Sequence, residues 1–448
     1  MIKRSDFGRD FKWGVSTAAF QIEGAHSSDG KIPSVWDVFT GSKGKIHNNS
    51  HAQLACDFYN RYANDLSLVE QLHIPNFRFS LSWSRIINLD HSVNMQGVDF
   101  YNRLIDSCIE RGITPWITIY HWDIPHFLEE RGGWTNRDIV NWFSEYVEVC
   151  AKYFGDRVKY WMVMNEPMVF TGAGYYLGIH APGRKGLVNF IPAMHHTTLC
   201  QAEGGRILKS QLPRAEVGTT FSCSHIEPYR NTNADRKAAV KIDALLNRLY
   251  LEPLLGLGYP VADISLLSRV EKYMLSGDEQ KMIFDFDFIG VQNYTREIAR
   301  RSWLVPIVFA NLVGAQKRNV ETTLMNWEVY PESIYEVLKK YGAYKNIKKI
   351  IVTENGAAFA DEVVDDKVND YKRVKFLNDY IAQVYRAKQE GVPVEGYFVW
   401  TLQDNFEWAE GYRPRFGLIY TDFESQARII KDSGYWYRSF LKNEQAII

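Results

Sequence analysis

Thr114-Pro115-Trp116-Ile117-Thr118-Ile119-Tyr120, followed at once by His121-Trp122-Asp123, is the stretch whose reading decides the fold. Aromatic and β-branched residues dominate the first seven positions, as in a strand. The apolar groups are not confined to alternate positions, which is the pattern of a strand covered on both faces in a parallel sheet. The apolar run then stops at an imidazole, an indole and a carboxyl.

The same pattern recurs along the chain. Phe11–Ser16, Asn76–Ser80, Val158–Met164, Glu216–Phe221, Phe286–Gln292, Lys349–Thr353 and Val394–Trp400 are further candidate strands. Helical periodicity fills the gaps between them. In Ala52–Leu72 the apolar groups Leu54, Phe58, Tyr62, Leu66 and Val69 share one face, and Val98–Arg111, Arg137–Phe154 and Tyr371–Glu390 read alike. Eight strand-then-helix units predict an α/β fold, a single (β/α)₈ barrel over residues 1–448. For a chain of 448 residues this leaves long loops at the C-terminal face of the strands, where such a barrel carries its site. Two doubly wound domains would require a glycine-rich phosphate loop, and neither GxGxxG nor GxxxxGK[ST] occurs.

Lys and Arg total 52 against 53 Asp and Glu, a formal net charge of -1, which gives no general attraction to nucleic acid or an anionic membrane. The five cysteines are scattered and form no CxxC, so neither a disulfide frame nor a zinc cluster is indicated. The N-terminus shows no secretory signal, and the longest apolar patch, 303–315, is too short to span a bilayer and contains Pro306. The expectation is a soluble, cytoplasmic protein. Two readings of 303–315 stay open: a loop helix packed on the barrel, or an apolar lip gripping a hydrophobic leaving group or a partner subunit. The 13 Trp serve mainly in the core, with a minority free to stack on the apolar face of a sugar.

Seven of the eight strands run into groups suited to a site: Gln21, Arg78, His121-Trp122-Asp123, Asn165-Glu166-Pro167, Asn293-Tyr294, Glu354-Asn355-Gly356, then Trp400 and Asp404-Asn405-Phe406-Glu407-Trp408. A closed barrel gathers these ends into one ring. Glu166 and Glu354 end the fourth and seventh strands and face each other across it. Two facing carboxyls suit cleavage of a glycosidic bond, one protonating the leaving oxygen and the other attacking the anomeric carbon or activating water. Their separation, about 5–5.5 Å for retention or roughly 6.5–9.5 Å for inversion, is not readable from sequence. A salt bridge or a helix cap is the plainer role for either one alone. His121 and Asp123 have no third metal ligand at suitable spacing, and His195-His196 lies in a helical stretch and reads as structural. The nucleophile motif GxSxG is absent. No metal and no cofactor is implied.

At these residues the chain resembles the family-one glycoside hydrolases of the β-glucosidase type. The motifs run in order: Phe11-Lys12-Trp13-Gly14 to Gln21-Ile22-Glu23-Gly24; Arg78-Phe79-Ser80 with Ser82-Trp83-Ser84-Arg85; His121-Trp122-Asp123-Ile124-Pro125; Asn165-Glu166-Pro167; Thr353-Glu354-Asn355-Gly356; Asp404-Asn405-Phe406-Glu407-Trp408; and Gly411-Tyr412 to Arg415-Phe416-Gly417. The resemblance implies a retaining β-glucosidase acting on terminal β-glucosyl residues of small glycosides or short oligosaccharides, tolerant of β-galactosides and β-fucosides. It implies Glu354 as nucleophile and Glu166 as acid/base. Arg78 and Tyr294 would keep Glu354 ionised, and Asn165 would hold the sugar 2-hydroxyl. Gln21, His121, Glu407 and Trp408 would hold the outer hydroxyls, with Trp400 as floor and Trp327 on the leaving-group side. Trp122, Asn293 and Phe416 complete the substrate-binding set.

Val163 and Met164 depart from the family pattern before Asn165, as do Thr401-Leu402-Gln403 and Pro331-Glu332-Ser333-Ile334, without removing a catalytic group. A 6-phospho-β-glycosidase would set cationic and hydroxyl groups where Glu407-Trp408 stand, and a carboxylate repels phosphate. A catalytically inactive sugar-binding module typically lacks one glutamate, and both are present. The sequence is silent on oligomeric state.

Overall fold

The computed structural model describes residues 2–305 and 308–444. Eight strands form a closed barrel: β1 (Lys12–Ser16), β2 (Asn76–Ser80), β3 (Thr114–Tyr120), β4 (Tyr160–Asn165), β5 (Glu216–Ser222), β6 (Phe288–Gln292), β7 (Ile350–Asn355) and β8 (Val394–Trp400). Each pairs in parallel with its sequence neighbours, and β8 closes on β1 through Ser16 and Trp400. Among the helices around them are α1 (Phe58–Gln71), α2 (Met95–Glu110), α3 (Ile139–Phe154), α4 (Leu187–Gln211), α5 (Glu332–Gly342), α6 (Tyr371–Gln389) and α7 (Asp432–Leu441).

All eight predicted strands are present. Strands β4 and β6 start two residues later than the apolar runs, and β4, β5 and β7 run on into polar residues. Helix α1 starts at Phe58 rather than Ala52, because Ala55 and Asp57 take φ of 48° and 51°, which a right-handed helix excludes. In the 303–315 segment the loop-helix reading is corrected. Ala310–Leu312 is a strand, antiparallel to Arg296–Arg301, which also pairs with His225–Pro228. Its backbone groups are satisfied by a strand edge, so no helix is needed there. Pro306 and Ile307 lie outside the described residues.

The barrel interior has two levels. The lower is an apolar plug of Trp116, Tyr160, Met162, Phe288, Ile351 and Phe398, in which the rings of Trp116 and Tyr160 stack with centroids 3.9 Å apart. Large side chains fit because small ones face them: a Cβ on Gly14 would lie 2.4 Å from the Phe398 ring. The upper level is polar and carries Arg78, Thr118, Asn165, Thr220, Gln292 and Glu354, all buried.

Two register shifts bring Glu354 and Asn165 into that upper level. In β7, Val352 pairs Val291 but Glu354, not Thr353, pairs Gln292. In β4, Met162 pairs Gly218 but Asn165, not Met164, pairs Thr220. Side chains alternate between faces along a strand, so each extra residue turns a polar group inward that regular pairing would have sent outward.

Candidate active site

Asn165 is the centre of the polar level. Its Oδ1 accepts from Arg78 Nη2 at 2.6 Å, Gln292 Nε2 at 2.8 Å and Thr220 Oγ1 at 3.0 Å. Three donors fix the amide orientation, so Nδ2 is the edge directed at His121 Nε2, 3.0 Å away. His121 Nε2 therefore accepts, and the ring proton sits on Nδ1, which is buried without a partner. Burial and then the Arg78 cation push this imidazole well below its ordinary range, which keeps it neutral.

Glu354 ends β7 between two donors. The Arg78 guanidinium binds its Oε1, and the Tyr294 hydroxyl donates to its Oε2 at 2.6 Å. Burial raises its carboxyl above the ordinary value while Arg78 and Tyr294 pull it back. Glu166 lacks such a pair. Burial raises it well above the ordinary range, the Glu354 charge adds to this, and Ser222 and Arg78 oppose only in part. Of the two carboxyls, Glu354 is thus the first to ionise and Glu166 the one that keeps its proton.

Glu166 leaves β4 at φ 45°, caps the short helix Pro167–Thr171, and its N–H donates to the Thr220 carbonyl at 3.0 Å. Trp122 and Trp408 also take positive φ, 77° and 47°. Left-handed backbone at a non-glycine residue costs roughly 1–3 kcal/mol and persists where surrounding contacts hold it. Trp122 is held by its indole N–H, which donates to the Asn165 carbonyl at 2.9 Å, and by its ring against Trp408, centroids 4.5 Å apart.

These groups surround a cavity of 840 Å³. Glu166, Glu354, His121, Trp122, Tyr294, Trp327, Trp400, Glu407, Trp408 and Phe416 all line it. Its inner end is closed: His121, Glu354, Trp400 and Glu407 are buried. Its outer end is open, edged by Leu177, Ile179 and Leu312, which are exposed. Burial pushes the Glu407 carboxyl up to about 8, with Glu354 reinforcing and Gln21 opposing.

Four expected site residues, Gln21, Arg78, Asn165 and Asn293, are fully buried next to residues of the cavity lining. Arg78 holds Glu354 and Asn165 holds His121, as described. Gln21 donates from Nε2 to Asn405, Phe406 and Glu407, leaving its Oε1 buried and unpartnered. Asn293 is a fastener: its Nδ2 donates to the Cys223 and Thr295 carbonyls and to Ser333 Oγ. Asp123 is also sealed in the wall, where burial pushes it up to about 7. His195 lies within α4, bonded to Asp278 and Tyr259. Among the described residues no group of three or more His, Cys, Asp and Glu is arranged to hold a metal ion, and no helix is long and apolar enough to cross a membrane.

Sequence reasoning missed Thr220, Ser222, Gln292 and Glu297. The first three had a signal, being polar residues at the ends of apolar strands. Glu297 had none, because it stands on a strand outside the barrel.

A closed parallel barrel that brings two unequal carboxyls to an aromatic-walled cavity defines a carbohydrate-cleaving enzyme. The chain belongs to glycosyl hydrolase family 1, whose model matches residues 3–446. It is 40% identical over 440 residues to the beta-glucosidase A of Thermotoga maritima, and 40% identical to the 1,4-beta-D-glucan glucohydrolase of Thermotoga neapolitana, in each case over 98% of both chains. The solved structure of the Thermotoga maritima beta-glucosidase in complex with glucoimidazole superposes with a TM-score of 0.92, at 40% identity, over 98% of this chain and 99% of that one.

Proposed function

We propose that the protein is a retaining β-glucosidase that removes terminal β-D-glucosyl residues by double displacement, with Glu354 as nucleophile and Glu166 as acid/base. The observation that supports it is the inequality of the two carboxyls in one cavity: Glu354 is paired with Arg78 and Tyr294, and Glu166 is paired with neither.

In the first step Glu354 forms a bond to the anomeric carbon as the glycosidic C–O bond breaks, and Glu166 gives its proton to the departing oxygen. The ester formed on Glu354 is neutral. The charge that helped to keep Glu166 protonated has gone, so Glu166 now takes a proton from water as that water attacks the anomeric carbon. Glu354 leaves as a carboxylate and Glu166 is protonated again. Asn165 Nδ2, with its orientation fixed, reaches the sugar 2-hydroxyl, a contact that strengthens in the transition state. His121 Nδ1–H, Gln21 Oε1 and Glu407 are the free donor and acceptors at the closed end for the outer hydroxyls. Trp400 and Trp408 offer rings to the apolar sugar face.

The closed inner end suits one sugar, so the substrates are small β-glycosides and short oligosaccharides such as cellobiose. Glucose and galactose differ at the 4-hydroxyl, and Glu407 accepts from either, so β-galactosides and β-fucosides are included. Residues 1–448 act as one catalytic domain. The cytoplasm is the proposed compartment, on the grounds that all five cysteines are buried free thiols.

The test is incubation with an activated 2-deoxy-2-fluoro-β-glucoside, intact-mass measurement and peptide mapping. Fluorine slows both steps and the good leaving group rescues only the first, so a glycosyl-enzyme accumulates with its label on Glu354. No label, together with no turnover of an unfluorinated aryl β-glucoside, overturns the proposal.

A further inference from the structure

The outer end of the cavity carries a carboxyl that the chemistry above does not use. Glu297 lies on the Arg296–Arg301 strand, outside the barrel, and faces the cavity. Antiparallel pairing of Ala299 with Leu312 puts Leu312 on the same face of that sheet as Glu297, since side chains two apart share a face. Leu246 and Met325 line the same cavity.

Glu297 makes no ion pair among the described residues, and Arg318 acts on it only from a distance. The cations beside it are engaged elsewhere: Arg296 binds Glu328 at 2.9 Å and Glu227 at 3.0 Å, and Arg318 binds Glu328 at 2.7 Å. Lys45 and Lys185 also line the cavity, but both are exposed and neither pairs with Glu297. A half-buried carboxyl that lines a cavity and makes no ion pair among the described residues is free to act on a ligand. The sugar takes the closed end, so the group at the open end is the leaving group.

We propose that Glu297 selects leaving groups by charge: its carboxylate accepts from hydroxyl or ammonium donors on the leaving group and repels anionic ones. The proposal rests on the β-glucosidase reading. An ammonium gains most, because a charge-assisted hydrogen bond is stronger than a neutral one. Burial pushes the Glu297 carboxyl up to about 7, with Arg318 opposing and Glu328 reinforcing. The test is therefore run at pH 8, where the carboxylate predominates.

Three aryl β-glucosides of matched leaving-group acidity are compared, bearing a neutral, a carboxylate or an ammonium substituent. Intrinsic reactivity cancels when each ratio of kcat/KM, charged over neutral, is compared between wild type and variant. In Glu297→Gln the carboxylate/neutral ratio is expected to rise about tenfold and the ammonium/neutral ratio to fall several-fold, with larger changes in Glu297→Lys. Ratios that agree within twofold among wild type and both variants overturn the proposal while leaving the β-glucosidase reading intact. A wild type that hydrolyses none of the three overturns that reading, and the selectivity claim with it.

Discussion

The lower and upper halves of the barrel use the same strands for opposite purposes. In β3 the indole of Trp116 fills the plug, and two residues further on the hydroxyl of Thr118 accepts from Arg78 Nε at 3.0 Å. In β6 the change runs from Phe288 to Gln292, in β7 from Ile351 to Glu354. The lower half solves a volume problem, and any side chain that fills the space serves it. The upper half solves a pairing problem, in which each buried polar atom needs a named partner, and only certain residues do. One scaffold can therefore hold its fold with one end and do chemistry with the other.

The most direct way to break that division is Glu354→Ala. Removing the proposed nucleophile is expected to lower kcat for an aryl β-glucoside by on the order of 10⁵-fold or more, while the barrel still forms, because the plug beneath is untouched. Azide, small enough to enter the vacated space and needing no general base, is expected to restore turnover with an α-glucosyl azide product. A variant that retains a tenth of wild-type activity, or a β-configured product, removes Glu354 from the nucleophile role.

The converse substitution is Phe398→Ala in the plug. Truncating a buried Phe costs about 3–5 kcal/mol through lost burial and the cavity left behind. The expectation is a lower midpoint in urea with kcat/KM at 25 °C, well below the transition, within a few-fold of wild type. If activity falls as steeply as stability, the two halves are mechanically coupled and the division fails.

How far the sequence reveals each half follows from the same physics. Strands buried on both faces are long apolar runs, so all eight are readable, as are most of the polar groups where the runs stop, Thr220, Ser222 and Gln292 excepted. Which of those groups turns inward is not. Regular alternation would put Thr353 and Met164 in the upper level. The structure puts Glu354 and Asn165 there through register shifts, and a bulge of one residue leaves no mark in composition. Thr220 and Gln292 hold Asn165 from strands where the eye goes to other residues. The rim was least legible. Its strands, such as Arg296–Arg301, pair with segments distant in sequence, and the lack of an ion pair on Glu297 depends on Arg296 and Arg318 choosing Glu328 instead.

The smallest effect sharpens the comparison through pH. The plug has no ionisable pair, so the loss in Tm caused by Phe398→Ala should be the same at pH 5 and pH 9. Glu407 in the upper half behaves differently. Its carboxyl titrates near 4.5 when unfolded and at about 8 in the folded protein. A folded value raised above the unfolded one gives stability that is complete below 4.5 and is lost as pH climbs to about 8, because the unfolded chain releases the proton and the folded one holds it. Glu407→Gln removes that slope. Its Tm should therefore gain on wild type by on the order of 2 °C between pH 5 and pH 8 and level off above. A difference that stays constant over this range would mean that Glu407 is ionised at neutral pH in the empty site, and that the upper half relieves its crowded charge by some route other than keeping a proton.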